Sequence, residues 1–474
     1  MSEKQSSPNI VLLVMDSARA ASVSCYGYGK DTTPSIDALA REGTLYAKAI
    51  SNACWTLPSH TTMFTGLYPL NHGLTKSADA LPAGFPTLAT RLKGAGYQTA
   101  CFSNNAYISE ATGLAQGFDT VEDIWRQTHP RGIARPKGAG RIKRLQALGP
   151  LARPAVAAAK LARRGRSIAR AAKRHDTDHG AKLTNDKILS WLGQRDRETP
   201  FFAFVNYMES HERYSPPVPY DRKFMPSRLN RLRVASLGSK EEILSGGGKR
   251  QAADFEILAG LYDGALGYLD QRVGELLQSM RDQGILDDTV VILTSDHGDS
   301  LGEHGYLGHR LYLYDELIRV PLVVRYPALF PAGSRVEHPV EVGDVFPTIL
   351  QLSGASATSD VSYSLVPSPE RPKRPFTISE NTAPKALNEM EMKALRTETT
   401  KLIWRSDQSH ELYDLEADPG ETRNLFATEP ARARPLLDQL EEWQRSCEDL
   451  TIETSEAEYD DATLDRLRGL GYIG

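Results

Sequence analysis

Five short runs along the chain are apolar throughout rather than alternating in polarity: Ile10–Met15, Thr99–Phe102, Phe201–Val205, Val290–Thr294 and Pro321–Val324. Runs of this kind predict strands covered by helices on both faces. Pro86–Lys93 and Ala252–Gln283 instead carry helical spacing. In the second, Phe255, Leu258, Tyr262, Leu266, Leu269, Val273, Leu276 and Met280 recur at steps of three and four, an amphipathic stripe. Alternation of strand and helix predicts an α/β fold: an open, mainly parallel sheet sandwiched by helices. Ligands gather beyond the carboxyl ends of the strands in such sheets.

The pattern changes after Ser353. Ala355–Arg374 is rich in Ser, Pro and charge and reads as a linker or long surface loop. Short strands follow at Phe376–Ser379, Lys401–Trp404 and Glu411–Leu415, with a turn at Asp407–Ser409, and then a polar helix from about Ala431 to Ser446. This predicts a small antiparallel sheet with a packed helix. The expected division is a large domain over 1–360, interrupted by a basic insertion at 124–180, and a small α+β subdomain over 361–474.

Composition narrows the class. The 474 residues are 40% hydrophobic and 24% charged, which excludes a wholly disordered chain, a collagen and a disulfide scaffold. No apolar run approaches the ~20 residues of a membrane span. The Ile10–Met15 run is too short for a signal-peptide core. Four cysteines, Cys25, Cys54, Cys101 and Cys447, show no metal-type spacing, so a cytoplasmic setting is expected. The net charge of −4 hides an asymmetry: Ile124–His175 holds 15 Lys/Arg and no Asp/Glu. This segment reads first as a solvated lid or an arm for homo-oligomers. A surface for an anionic substrate comes second. Nucleic acid or acidic membrane comes last, because no aromatic residues interleave the charge.

The candidate chemistry sits at strand ends. Asp16 closes the first run, and Asp296-His297 follows the fourth. An Asp after a strand is by default a turn former or cap, but an Asp, Asp, His set at one sheet edge suits a metal. A third element is Thr56-Leu57-Pro58-Ser59-His60 through Thr65-Gly66, where Pro58 suits a first helical turn and Gly66 a helix end. Thr56 would lie just before a helix N-terminus, where free N–H groups favour a developing anion. The plainer alternative is that Thr56 is only the N-cap.

With these residues in view, the chain resembles the sulfatase branch of the alkaline phosphatase superfamily over nearly its whole length. The first strand ending in Asp16 matches, as does the stretch from Thr56 to Gly66. Ser295-Asp296-His297-Gly298 through His304-Gly305 and Arg319-Val320-Pro321-Leu322 resemble the later family signature. Phe201-Phe202 through His211, with Pro216-Pro217 after it, is similar to the family's substrate-histidine strand. Glu411-Leu412-Tyr413-Asp414-Leu415 through Asp418-Pro419-Gly420-Glu421 matches the terminal hairpin. The resemblance implies an alkaline-phosphatase-like fold and a metal-dependent ester hydrolase.

Several positions depart from the family pattern. Ordinary sulfatases use a formylglycine made from Cys or Ser, whereas here the position is Thr56, whose oxidation would give a ketone. The motif's Arg is replaced by His60, the second acid of the first motif by Ser17, and the later lysine by His309. The family's lysine–histidine pair is not evident around Ser103–Gly117. Cys54 reads as a buried small residue. The retained set is similar to the threonine-nucleophile, non-formylglycine members of the superfamily.

That resemblance implies Asp16, Thr56, Asp296 and His297 as ligands of one divalent metal, with Zn²⁺ or Mn²⁺ suiting the mixed donors and Ca²⁺ the other choice. A second metal is left open. Thr56, His211 and His309 are the catalytic candidates. His60 and Arg19 are the substrate-binding candidates, Arg19 equally suited to holding a carboxylate. His304 reads as structural. A bound dication moves a water pKa from 15.7 to about 7, which suggests up to ~12 kcal/mol toward an alkoxide at Thr56. The expected reaction is cleavage of a phosphodiester or phosphonate monoester through a covalent Thr56 intermediate. The alternatives are a sulfatase using Thr56 directly, a transferase moving a phospho-group to an alcohol, and a non-catalytic anion-binding protein.

Overall fold

The computed structural model describes residues 7–128, 178–225, 252–355, 363–370, 372–382, 390–447 and 450–473. Most of the basic segment, with its expected helix at 155–172, lies outside the described residues, as does part of the expected linker after 355. The larger sheet comprises strands β1 (Asn9–Met15), β2 (Thr44–Tyr46), β3 (Gln98–Ser103), β4 (Thr120–Asp123), β5 (Phe201–Tyr207), β6 (Thr289–Thr294), β7 (Leu322–Arg325) and β8 (Ser334–Val336). They form one sheet in the order β8-β2-β7-β6-β1-β5-β3-β4. Only β7 runs against the rest, pairing antiparallel with both β6 and β2.

The continuous apolar runs have the expected cause. Ile10, Leu12 and Val14 of β1 enter one buried cluster, while Val11, Leu13 and Met15 enter a second on the opposite face. Helices cover both faces: α1 (Pro34–Glu42), α2 (Thr56–Thr65), α3 (Leu88–Gly94), α4 (Ala181–Gln194), α5 (Ala252–Asp282) and α6 (Val345–Ser353). The α5 stripe is buried from Tyr262 to Met280, but at its start Ile257, not Leu258, is the buried residue.

A second sheet of four antiparallel strands follows: β9 (Thr377–Thr382), β10 (Glu391–Arg396), β11 (Thr400–Arg405) and β12 (Glu411–Asp414). Ile378, Leu395, Leu402 and Leu412 pack there with Ala433, Leu440 and Trp443 of α7 (Pro430–Cys447). A final helix, α8 (Asp461–Leu470), is not apparent in the sequence pattern. Its approach is held by Ser455–Glu456 pairing with Asp79–Ala80 and by the Tyr459 hydroxyl donating to the Ser77 carbonyl at 2.7 Å. The two sheets meet where the Glu380 N–H donates to the Asn52 carbonyl at 2.8 Å. Buried Lys401 adds ion pairs to Asp315 at 3.0 Å and Glu421 at 2.8 Å.

His304 is structural, as expected. Its Nδ1 lies 2.9 Å from Glu316 Oε1 and its Nε2 3.1 Å from the Glu421 carbonyl, with the ring stacked on Tyr314. Both partners are acceptors, so both nitrogens donate and the ring is an imidazolium. The Glu316 hydrogen bond raises its pKa to about 9. The folded value exceeds the unfolded one of about 6.5. Its contribution is therefore complete below pH ~6.5 and lost as pH rises through about 9. The melting temperature should fall over that window, and less steeply in His304→Gln. Parallel melting curves of wild type and variant would remove this account.

Candidate functional site

Strand register brings the two aspartates together. β1 and β6 are parallel neighbours with Val14 opposite Thr294. Continuing that register places Asp16 beside Asp296, just beyond the carboxyl ends. Adjacent strands lie about 4.8 Å apart, so two carboxylates are forced into one small volume. Ser17 makes the turn tight: it is a non-glycine residue at φ 64°. Its N–H donates to Asp296 Oδ1 at 3.1 Å and its hydroxyl to Asp16 Oδ1 at 3.2 Å. Ser17 thus orients both acids. Gly298 is required by crowding, because a Cβ there would lie 2.1 Å from the Glu316 carbonyl oxygen.

Asp16, Asp296 and His297 each present a ligand atom within 4.8 Å of the others, and all three are fully buried. His297 Nδ1 lies 2.8 Å from the Gly298 carbonyl, so that nitrogen carries the proton and Nε2 presents a lone pair. That lone pair faces Asp296 Oδ2 at 3.3 Å and Asp16 Oδ1 at 3.9 Å. His297 Nε2 and Asp296 Oδ2 have no hydrogen-bond donor among the described residues. Burial and the Asp296 charge push Asp16 up to about 7, and burial does the same to Asp296. Converging lone pairs with no proton between them are the surroundings a dication neutralises. These residues therefore fit the divalent metal that the family pattern implies.

Thr56 is not the N-cap. Trp55 holds that place, in extended conformation, and Thr56 is the first residue of α2. Its hydroxyl lies 3.0 Å from the Tyr472 hydroxyl, and Asn105 Nδ2 approaches it at 3.4 Å. The same Asn105 nitrogen donates to Asp16 Oδ2 at 2.7 Å, linking Thr56 to the acids. Ser59, one turn on, donates to the Asp296 carbonyl at 2.7 Å. Cys54 is buried, as expected.

The two catalytic histidine candidates also converge. The His309 ring lies 4.4 Å from His297 and 5.0 Å from His211, centroid to centroid. His309 Nδ1 faces Asp299 Oδ1 at 3.4 Å. His211 Nδ1 is 2.7 Å from the Glu212 carbonyl, and its Nε2 is 2.7 Å from the Tyr472 hydroxyl.

The two substrate-binding expectations need correction. His60 is fully buried and edge-on to Phe64 and Phe204. Its Nδ1 meets the Thr56 carbonyl at 2.9 Å, with Asp296 Oδ2 at 3.5 Å. Burial lowers its pKa to about 3, so it is neutral and offers an anion no charge. Arg19 takes the other role considered for it. It pairs with Glu303 at 2.6 Å and donates to Ser22 at 2.9 Å, so its charge is already matched. The sequence reading missed Ser17 as an orienting group, Asn105 and Tyr472. Asn105 sits just beyond the end of β3, a position that could have drawn attention to it. Tyr472 follows a helix distant in sequence and carried no signal.

No helix among the described residues is long and apolar enough to cross a membrane. The sulfatase profile matches residues 8–355, and the profile described as N-sulphoglucosamine sulphohydrolase, C-terminal, matches 302–446. An N-acetylglucosamine-6-O-sulfatase of Bacteroides thetaiotaomicron is 26% identical, covering 94% of this chain and 88% of that protein. Among solved structures, one in complex with its substrate D-glucosamine-2-N,6-O-disulfate superposes with TM-score 0.69 at 21% identity, covering 93% of this chain and 98% of the other. The phosphonate monoester hydrolase of Agrobacterium radiobacter gives TM-score 0.69 at 22% identity, covering 93% and 96%. At those identities the two likenesses establish the fold, the alkaline-phosphatase-like α/β sandwich. With the sulfatase profile spanning most of the chain, this sulfatase-like ester hydrolase belongs to the sulfatase family.

Proposed function

We propose that the protein hydrolyses sulfuric esters of small anionic molecules, with the unmodified Thr56 hydroxyl as nucleophile. The observation that carries this reading is one oxygen position. The Tyr472 hydroxyl sits within hydrogen-bond reach of both Thr56 Oγ1 and His211 Nε2. The Glu212 carbonyl fixes the proton on His211 Nδ1, so Nε2 accepts from Tyr472, and Tyr472 in turn accepts from Thr56. Thr56 itself accepts from Asn105. Thr56 has no solvent-exposed surface, so an ester reaches it only as part of what encloses it yields. An ester oxygen or water taking that hydroxyl's place inherits both contacts.

A divalent cation held by Asp16, Asp296, His297 and Thr56, Zn²⁺ or Mn²⁺ by donor type, would favour the ionised threonine and withdraw charge from the ester oxygens. Asn105 holds Thr56 against Asp16. In the first step the Thr56 Oγ–S bond forms and the bond from sulfur to the leaving oxygen breaks. The proton lost by Thr56 passes to His211 Nε2, and the leaving oxygen takes it from there. In the second step the oxygen of a water in the Tyr472 position bonds to sulfur as the Thr56 Oγ–S bond breaks; the water's proton passes to His211 Nε2 and from there to Thr56 Oγ, restoring the hydroxyl and releasing hydrogen sulfate. His309, held toward the site by Asp299, contacts the non-bridging oxygens.

A phosphonate monoester or phosphodiester is the second reading. It is favoured by Thr56 itself, which cannot become the aldehyde of ordinary sulfatases. Turnover of matched aryl sulfate, phosphate monoester, phosphodiester and phosphonate ester by metal-reconstituted protein separates the two. The sulfate should be the best substrate. A kcat/KM higher for the phosphonate or diester reverses the order, and no turnover on any of them favours an anion-binding protein.

A further inference from the structure

Thr56 is fully enclosed, and two side chains come within hydrogen-bond reach of its hydroxyl among the described residues, Asn105 and Tyr472. Asn105 is held firmly beside the end of β3. Its Nδ2 donates to Asp16 at 2.7 Å, and its Oδ1 accepts from the Tyr107 N–H at 3.0 Å. Tyr472 comes from a segment that adds no strand to the eight-stranded or the four-stranded sheet. That segment also lies beyond both family profiles, the second of which ends at residue 446. Its hydroxyl fills the position between Thr56 Oγ1, at 3.0 Å, and His211 Nε2, at 2.7 Å.

The segment is laid over the rest of the chain by a short series of contacts. The Ile452 and Ala457 N–H groups donate to the Asn71 and Ala78 carbonyls at 2.9 and 2.8 Å. At its far end, the Tyr472 carbonyl accepts from Ser77 Oγ at 3.0 Å and from Arg310 at 3.3 Å. Between these, α8 buries Thr463, Leu467 and Leu470 of its ten residues. Asp460 starts that helix. Its Oδ1 accepts from the Thr463 N–H at 2.8 Å, and its Oδ2 pairs with half-exposed Arg126 at 2.9 Å. Gly471, at φ 79°, ends it and turns Tyr472 inward. Elements with few buried apolar groups open at lower free energy than the sheet they cover. We infer that the segment from Ile452 to Tyr472 is an autoinhibitory latch, in which the Tyr472 hydroxyl occupies the place of a substrate oxygen and the anion enters only when α8 lifts away. The inference concerns the regulation of the site described above, and rests on that reading for Thr56 as the group to be reached.

The test reads binding, so that it does not depend on turnover. Inorganic sulfate and inorganic phosphate are titrated into the metal-reconstituted full chain by calorimetry. Tyr472→Phe removes two hydrogen bonds from the closed form only, and should tighten binding of either anion about tenfold by enlarging the open fraction. Asp460→Ala removes the helix cap and the ion pair without altering any group that touches Thr56, and should tighten binding about fivefold. In wild type, saturating anion should raise hydrogen exchange at the amides of 461–472, since closure and binding exclude each other. Weaker or unchanged binding in Tyr472→Phe overturns the proposal, as does the absence of binding in that variant. Anion-induced protection of 461–472, or an Asp460→Ala chain that binds no more tightly than wild type, overturns it too. Failure of the sulfuric-ester reading appears separately, as aryl sulfate turnover below that of the phosphorus esters.

Discussion

Thr56→Ala should abolish ester turnover, by at least about 10⁴-fold, as removal of a covalent nucleophile does. The fold should survive. Trp55 remains the N-cap, and the lost hydroxyl contacts are to Tyr472 and, at long range, Asn105. The stability cost should stay near 1 kcal/mol. Thr56→Ser keeps the hydroxyl on the same helix position and should retain activity within about tenfold. Mass spectrometry of a rapidly quenched reaction should find one sulfuryl group on the peptide carrying Thr56. Rate and melting temperature measured together decide the matter. If Thr56→Ala turns over substrate within a few-fold of wild type, no covalent threonine intermediate exists.

The second large effect is at Asp296. Asp296→Ala should reduce metal affinity by more than about 100-fold, since losing even an outer partner of a ligand costs 10–100-fold, and turnover should fall with it. Elemental analysis reads the first, and full occupancy in the variant would remove Asp296 from the metal site. The chelated wild-type protein supplies a further signature. Asp16 and Asp296 both have folded values near 7, above the ~4 of an unfolded carboxyl. Their protonated forms therefore stabilise the metal-free fold at low pH, and that contribution is lost as pH climbs from ~4 through about 7. Adding back the divalent ion should restore the melting temperature most strongly above pH 7, where both acids are charged and closest to repulsion.

The histidines show how far a linear reading reaches. His211 and His309 were identified from position in a pattern, and they do meet, with rings 5.0 Å apart. His60 was identified the same way and lies instead in an aromatic interior. The difference is the direction of a side chain on a helix. One residue along α2 turns the chain by about 100°, and a motif read as a string does not say which face looks inward. Arg19 shows the same limit for charge. Its nearest acid is Glu303, 284 residues away in sequence, and only folding decides whether a cation is spent on the protein or kept for a ligand.

What the sequence by itself determined was the sheet and the acids at the edge where its strands end. Apolar runs four to six residues long bury on both faces, and the polar residues that follow them emerge at the edge where the strands end. Asp16 and Asp296-His297 follow from that local rule. What only the tertiary structure decided was register and closure. That Asp16 stands beside Asp296 depends on β1 and β6 being parallel neighbours. That Tyr472 reaches Thr56 depends on α8 being carried back across the molecule. Contacts between residues hundreds of positions apart leave no periodic trace in the chain, because they are set by the packing of whole elements and not by the spacing of any one of them.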